Sequence, residues 1–513
     1  MQKQLLKLAL VNKISTTEQL ENLKRRFAKK HGKPCPTNME LLRSYRELVQ
    51  AKKLDKSEQL LRLLKTRDIR TLSGVAVVAV MTKPYKCPGK CLFCPTEIDV
   101  PKSYLSNEPA VMRAILCKYD PARQVKMRLR ALSETGHNTD KVELIVMGGT
   151  FSALPKRYQR WFIKQCFESL NNNNYNTLAE AQKANEKAKH RCIGLTLETR
   201  PDFIDKKEIA RFRELGATRI ELGVQTVFDD VLKKNKRGHD VKETIKATKL
   251  LKDAGFKINY HMMPGLPGSS FKKDIAMFSE LFKNQNFQPD MLKIYPCVIT
   301  KNSKLYKLWR QKKYRPIDSK NLSKLLIKVK RNIPRYVRIT RLIRDIPSTS
   351  IVAGSKISNL RQLIAKQNVN CKCIRCRQAK KDIRFKSKNL KFFIKKYKAS
   401  ESTEYFLSFE DKTRKILFAF LRLRITENQF LEEIKNAAII REVHTYGEIV
   451  PISKKNKKAV QHLGLGKKLM KQSEKIAKKH GFRKIAVISG IGARRYYRKL
   501  GYKLKGTYMT KKI

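Results

Sequence analysis

Three cysteines, Cys87, Cys91 and Cys94, stand three and two residues apart. Thiolates are good ligands for iron–sulfur clusters and for zinc, and such short spacings let one loop wrap one inorganic centre. A structural zinc site closes with four protein ligands, so three thiolates with no fourth nearby point to a cluster that keeps one iron open to another molecule. A second triplet, Cys371, Cys373 and Cys376, lies too far along the chain to belong to that loop and asks for a fourth partner to close a tetrahedral zinc. Gly148, Gly149 and Thr150 end an apolar run where backbone groups are left exposed, and Glu198, Arg200 and Gln225 end two others with side chains suited to hydrogen-bonding a polar ligand. Gln461-x-x-Gly464-x-Gly466 opens a helix carrying Lys467, Lys468 and Lys471. Glycines at a helix N-terminus leave free N–H groups and the positive end of the dipole for a pyrophosphate. A Rossmann dinucleotide loop fits poorly here, because Gln461 does not follow the opening strand of a βαβ unit.

The elements that must hold these groups are legible as short apolar runs separated by amphipathic helices. The runs are Val75 to Met81, Val142 to Met147, Cys192 to Glu198, Thr218 to Val224, Phe256 to Met262 and Met291 to Tyr295. Between them lie helical patterns such as Arg157 to Leu170, Lys206 to Leu215 and Val241 to Ala254, the last two stopped by Gly216 and Gly255. Such alternation predicts an α/β fold with a parallel sheet, open or closed into part of a barrel. In these folds chemistry gathers at the C-terminal strand ends, where all the groups from Cys87 to Gln225 fall. Residues 1–70 read as helices, with apolar residues such as Leu5, Leu8, Leu41, Leu48 and Leu64 recurring at helical spacing. The region 301–400 reads as a basic connector, and 401–513 as a separate α+β domain with strands Glu404 to Phe409, Lys415 to Ile425, Ala438 to Val443 and Lys484 to Ser489.

With 513 residues the chain is long enough for about three domains at roughly 100 to 200 residues each. Its 114 Lys and Arg against 44 Asp and Glu give a formal charge of +70, which calls for a polyanion such as nucleic acid. The excess is local as well as global: 18 basic against 7 acidic residues lie within 1–70, and 16 against 2 within 301–345. The longest apolar stretch, Gly74 to Met81, is far short of a membrane helix, and the N-terminus lacks the apolar core of a signal peptide. Eleven cysteines, an odd number in clusters, then indicate metal chemistry in a reducing cytosol rather than a disulfide framework.

The CxxxCxxC loop resembles that of the radical S-adenosylmethionine (SAM) superfamily. Val146-Met-Gly-Gly-Thr-Phe151, Gly194-Leu-Thr-Leu-Glu-Thr-Arg-Pro201, Arg219-Ile-Glu-Leu-Gly-Val-Gln-Thr226, Arg237-Gly-His239, Tyr260-His-Met-Met-Pro-Gly-Leu-Pro-Gly268, Arg344-Asp-Ile-Pro347 and the stretch Val487 to Tyr502 extend the likeness. From about residue 70 to 513 the chain is similar to the catalytic third subunit of Elongator, and the x3 spacing after Cys87 is closer to archaeal or bacterial-type members. Where the family usually shows Pro-Gly-Gly after the third cysteine, this chain has Pro95-Thr96-Glu97. The resemblance implies a basic helical tRNA-binding segment at 1–70 and a radical SAM partial (βα)6 barrel at 71–300. A connector with a zinc-type cysteine cluster at 301–400 and a GNAT-like acetyl-CoA-binding domain at 401–513 complete it.

The same resemblance implies ligands and roles. Cys87, Cys91 and Cys94 hold a [4Fe–4S] cluster whose open iron binds SAM, with Gly148, Gly149, Thr150, Glu198, Arg200 and Gln225 around the SAM. A strand with Glu442, Val443, His444 and Thr445 aligns acetyl-CoA, and Gln461, Gly464, Leu465 and Gly466 take its diphosphate. Tyr496 and Tyr497 flank the thioester or pack as core, and Lys141 also meets acetyl-CoA. Cys297 becomes the fourth zinc ligand beside Cys371, Cys373 and Cys376, tying connector to barrel. The implied reaction begins when SAM is reduced to a 5′-deoxyadenosyl radical, which takes hydrogen from the methyl of acetyl-CoA. The acetyl-derived radical then adds to C5 of the wobble uridine in the tRNA anticodon stem-loop, and thioester hydrolysis leaves carboxymethyluridine. The second reading is a protein lysine acetyltransferase with a structural or regulatory iron–sulfur domain, and the third an RNA-binding scaffold with decayed catalysis. A homodimer and accessory Elongator-type subunits are compatible with the family.

Overall fold

The computed structural model describes residues 2–65, 74–379, 390–446 and 464–513. Four N-terminal helices, Gln2–Val11, Thr17–Lys30, Asn38–Gln50 and Glu58–Leu64, close on a small core that includes Leu5, Leu6, Leu20, Leu41, Leu42 and Leu60. Thr16 with Gln19 and Thr37 with Glu40 form capping boxes, which is why two of these helices start where they do. The unit is joined to the rest by Arg46, which donates from Nη2 to the Ser133 carbonyl at 2.7 Å. Ser133 lies in the helix Pro121–Glu134.

Seven parallel strands follow one another in chain order across the first sheet: β1 Ala76–Met81, β2 Lys141–Met147, β3 Arg191–Thr199, β4 Arg219–Gln225, β5 Lys257–Met262, β6 Met291–Ile294 and β7 Arg338–Arg341. The order is linear, so β1 and β7 are edges and the sheet is a partial barrel. Six strands coincide with the apolar runs to within a few residues. A seventh strand extends the six expected ones: Arg338-Ile-Thr-Arg341 has a single apolar residue, Ile339, which is fully buried, and it reads in the sequence as part of the basic connector. Val142, Leu144 and Val146 are buried along β2, while Lys141, Glu143, Ile145 and Met147 between them are only partly so. That alternation sets a buried face of Val142, Leu144 and Val146 against a half-buried one that carries Lys141 and Glu143.

The second sheet runs β13-β14-β12-β11-β10-β9-β8, with β8 Leu390–Ala399, β9 Ser402–Asp411, β10 Leu417–Ile425, β11 Ala438–Thr445, β12 Lys484–Val487, β13 Lys503–Lys505 and β14 Tyr508–Lys512. Among the described strands of this sheet only β11 and β12 pair in parallel, with the helix Leu465–Lys479 between them in sequence. Strand β8 pairs with β9 over its whole length, although its lysines made it look like connector.

The two sheets are joined by buried charge. Asp253, Asp290, Glu404 and Glu442 face Lys252, Arg422, Arg424 and Arg441, four acids against four bases, and Arg422, Arg424 and Arg441 have essentially no exposed side chain. Arg424 reaches Asp253 at 2.6 Å and Glu404 at 3.1 Å; Arg441 reaches Glu404 at 2.9 Å and also pairs with Asp290. Burial pushes the Asp290 carboxyl up, but Arg441, Lys252 and Arg422 outweigh it and hold the group well below the usual range. Since Asp253 ends the helix before β5 and Asp290 immediately precedes β6, the second sheet docks at the N-terminal end of the barrel strands. Among the described residues no helix is long and apolar enough to cross a membrane.

Candidate functional site

The loop after β1 carries Cys87, Cys91 and Cys94 at the C-terminal end of the barrel. Arg237 directs Nη1 at the Cys91 sulfur from 3.4 Å, and the Gly89 amide meets the Cys87 sulfur at 3.4 Å. The hydrogen bond from Cys94, with Arg237 and Arg200 close by, holds the Cys91 thiol down to about 5 against the effect of burial. Arg200 is fixed by Asp202 at 2.9 and 2.7 Å and by the Arg237 carbonyl at 2.9 Å, while its Nη1 is buried without a partner. A Cβ on Gly89 would overlap that Nη1, so glycine there lets the loop close over the guanidinium.

A small, partly open recess joins this loop to the second strand end: Cys87, Lys102, Gly148, Gly149 and Thr150 line it. Gly148 has φ +130° and no room for a Cβ beside Thr82 Oγ1, so the close approach of the two strand ends requires glycine. Glu198 accepts from the Tyr104 hydroxyl at 2.7 Å and lies 3.6 Å from Lys293 Nζ. Gln225 is held at φ +70° with its Oε1 buried and unpartnered. Two buried polar atoms left unpaired, Arg200 Nη1 and Gln225 Oε1, carry a cost that a polar ligand would relieve. Three cysteine sulfurs beside two guanidinium groups, a recess with exposed backbone and these orphaned atoms fit a cluster and SAM by their chemistry.

Several residues of this site had no role in the sequence reading. Arg237 and Arg344 stood inside quoted motifs, yet nothing in the motifs says that Arg237 faces a thiol. Arg344 lies over the rings of Tyr104 and Tyr295, at 5.7 and 6.0 Å from their centroids, and pairs with Glu108 at 3.4 Å. Thr96 and Glu97 replace glycines without entering the site. Glu97 accepts from the Ser106 amide and from Asn302 Nδ2, each at 2.7 Å, and neither residue has a positive φ.

The second triplet converges. The sulfurs of Cys371, Cys373 and Cys376 lie within 4.8 Å of one another, as one ion with Zn–S bonds of about 2.3 Å requires. Lys330 Nζ sits 3.5 Å from the Cys376 sulfur, and Arg361 stands near all three. The expectation that Cys297 completes this set is corrected. Its amide bonds to the Pro264 carbonyl at 2.9 Å, its thiol adjoins Tyr314, and it packs with Cys91, Phe93, Met263 and Leu266 behind the first loop. Only two residues separate Cys297 from the end of β6, so it stays at that rim, whereas the triplet lies along β7 through the bond from the Ile374 amide to the Val337 carbonyl.

At the other end of the barrel, β11 and β12 pair only from Ala438 to Ile440 against Ile485 to Val487. Among the described residues, no strand pairs with Glu442 to Thr445 on the β12 side of β11. The helix Leu465–Lys479 starts at Gly464, φ +67°, with no side chain capping its first amides. A Cβ on Gly466 would lie 2.9 Å from the Tyr496 hydroxyl and 3.8 Å from the Thr445 methyl, so Gly466, Thr445 and Tyr496 meet at this terminus. The tyrosine pair divides: Tyr496 is 41% exposed, while Tyr497 is buried behind it with ring centroids 5.2 Å apart. Leu465 is core, and Val443 is half-buried in β11. The Glu442 carboxylate is occupied by Arg422 at 2.9 Å and Lys257 at 3.5 Å. Lys141 opens β2, and burial pushes its ammonium below its ordinary range. Gln461 lies outside the described residues. The open strand edge and uncapped helix terminus fit an extended acyl-pantetheine with its diphosphate.

Residues 81–278 match the radical SAM superfamily, 289–369 the radical SAM C-terminal domain and 384–502 the acetyltransferase (GNAT) family. A tRNA uridine(34) acetyltransferase of Methanocaldococcus jannaschii is 47% identical over 93% of this chain and 90% of its own. The human Elongator complex protein 3 is 41% identical over 88% of this chain and 86% of its own. The chain belongs to the Elongator complex protein 3 family. The structure of the Methanocaldococcus infernus family member lacking its N-terminus (1–46) superposes with a TM-score of 0.76 at 43% identity, covering 86% of this chain and all of that one. Family membership and geometry together yield one expected outcome at the GNAT end. Gly466→Glu should weaken acetyl-CoA binding at least tenfold, about 1.4 kcal/mol, by setting a carboxylate against Tyr496 where a diphosphate would approach; isothermal titration with CoA measures it.

Proposed function

We propose that this protein converts the wobble uridine of tRNA to 5-carboxymethyluridine with SAM and acetyl-CoA. The observation that carries the reading is the coupling of two chemically different ends on one frame. A three-thiolate recess sits at the C-terminal end of the barrel strands, and an acyl-CoA-type helix terminus is docked at the N-terminal end through buried ion pairs. When bound, the cluster and SAM supply the 5′-deoxyadenosyl radical that removes hydrogen from the acetyl methyl group. Arg237 and Arg200 balance the thiolate charge, and Gly148 and Gly149 present backbone to SAM. Gly464 to Gly466 take the diphosphate of acetyl-CoA, with Tyr496 over the same terminus. The uridine-34 name carried by several relatives supports the choice of base, and the +70 charge supports a polyanionic substrate. Cys371, Cys373 and Cys376 hold zinc in this reading, whose tris-thiolate charge suits the cations Lys330 and Arg361.

The test is anaerobic incubation of reconstituted protein with tRNA, SAM, acetyl-CoA and a reductant, followed by nucleoside mass spectrometry. Carboxymethyluridine is the expected product; acetylated lysine peptides with unmodified tRNA would favour the protein acetyltransferase instead, which a strongly basic enzyme disfavours for basic tails. Binding of tRNA should fall steeply with salt, because each phosphate contact releases counterions. Removing residues 2–65 should weaken tRNA binding about tenfold or more and leave CoA binding unchanged; equal tRNA affinity in the truncated protein would show that the N-terminal helices are not part of the grip.

A further inference from the structure

His444, like Glu442 two residues before it, turns its side chain away from the helix terminus. Thr445 turns its methyl toward Gly466, and successive side chains on a strand point to opposite faces, so His444 points to the barrel. Its ring rests against Tyr446 at 4.3 Å and Phe420 at 6.0 Å between centroids. Around it stand Glu442, Arg338, Lys257 and Lys141. Most of these are already occupied: Glu442 by Arg422 and Lys257, and Arg338 by the Tyr446 hydroxyl at 3.0 Å. Lys141 forms no ion pair among the described residues. His444 Nε2 is buried and has no hydrogen-bond partner. Burial pushes this imidazole down to about 4, so near neutral pH it is uncharged and one ring nitrogen carries a lone pair.

An orphaned base and an unpaired ammonium thus lie on the barrel side of the strand segment that, among the described residues, has no partner on its β12 side. The diphosphate would lie on the opposite face, by Gly466, so these two groups are left to act on the acyl end of the ligand, and they are not needed to make a radical at the far end of the barrel. We propose that His444 is the general base that hydrolyses the thioester once the acetyl carbon has been joined to the uridine, with Lys141 as the cation that stabilises the tetrahedral oxyanion. This rests on the carboxymethylation reading above. Water adds to the thioester carbonyl carbon as Nε2 takes its proton. The C–S bond then breaks, the proton passes from His444 to the departing CoA sulfur, and the uridine keeps a carboxymethyl group. No electron is gained or lost in the step. Negative charge growing on the carbonyl oxygen raises the proton affinity of the neighbouring imidazole when it is required.

The test uses the reconstituted full chain with tRNA, SAM and acetyl-CoA, comparing wild type with His444→Gln and, as a second variant, His444→Asn. General-base catalysis is worth about 10²- to 10⁴-fold. The expected result is 5′-deoxyadenosine formation within about twofold of wild type, with carboxymethyluridine per 5′-deoxyadenosine reduced about a hundredfold. The missing product should appear as tRNA carrying a CoA thioester, visible in the intact mass and convertible to a hydroxamate by hydroxylamine. Calorimetric CoA affinity is measured in parallel, and the hydrolysis ratio is read with CoA saturating in each variant. Carboxymethyluridine at the wild-type ratio in either variant would overturn the assignment, and so would parallel loss of 5′-deoxyadenosine and CoA binding in both, which would make His444 a structural residue. A wild type that gives neither carboxymethyluridine nor thioester adduct would instead bring down the carboxymethylation reading itself.

Discussion

Cys91→Ala should lower 5′-deoxyadenosine formation by more than about a thousandfold, some 4 kcal/mol in the barrier, while CoA still binds. Cys91 is the most deeply placed of the three loop thiols and the one that Arg237 touches. Removing it leaves two thiolates for a cluster that needs three, and it strands a buried guanidinium without its anion. Anaerobic iron analysis should show the drop from about four irons per chain to a substoichiometric residue, and titration with CoA should show no change, because the acyl end lies beyond the interface at the opposite ends of the strands. A Cys91→Ala protein with full iron and normal SAM cleavage would remove the loop from the chemistry.

Asp290→Ala should cost about 3 to 5 kcal/mol in stability, the range for leaving buried charges uncompensated. Asp290 has no exposed side chain; it pairs with Arg441, lies 3.4 Å from Arg422 and accepts the Ile258 amide at 2.9 Å. Its removal leaves four bases against three acids in a region closed to water. A large fall in the urea midpoint, with the two sheets losing structure together, is the expected observation. The same cage fixes a pH dependence. Burial raises Glu404 and Glu442 as it does Asp290, but the surrounding cations prevail, so all three are lowered overall, Glu442 to about 2. A lowered folded pKa means that the unfolded chain binds more protons in the acid range, so stability is full above the unfolded carboxylate value of about 4 and is lost as pH falls through the folded values. Wild-type stability should therefore decline between about pH 5 and pH 2, and the slope should be shallower in Asp290→Ala.

How far the fold was legible depended on how each element announces itself. Six barrel strands are short, mostly apolar runs, broken by polar residues such as Glu143, Glu221 and Lys293, because one deep face must be buried, and runs such as Val142 to Met147 still stand out in any window. Strand β7 is a single buried isoleucine between arginines, and β8 hides its pairing among lysines; their strand character comes from backbone pairing with neighbours far away in sequence. The loop cysteines were readable because local spacing suffices to wrap a cluster. Cys297 was misplaced because choosing a fourth ligand requires knowing which strand end adjoins β7, and spacing along the chain does not contain that. Tyr496 and Tyr497 are adjacent in sequence, and only the turn of a five-residue helix sends one to the helix terminus and the other into the core. The interface charges were the least legible feature. Asp253, Asp290, Arg422, Arg424 and Arg441 look like ordinary surface residues until the second sheet is placed against the barrel, where they become fully buried partners.

The central claim is that both ends of the molecule act on one acetyl group. The most direct measurement is mass spectrometry of 5′-deoxyadenosine formed from unlabelled SAM, methyl-deuterated acetyl-CoA and tRNA by the reconstituted protein. The account predicts deuterium in 5′-deoxyadenosine, lost in Gly466→Glu even though that variant keeps its iron. Unlabelled 5′-deoxyadenosine from the wild type, formed at the same rate with or without acetyl-CoA, would contradict it.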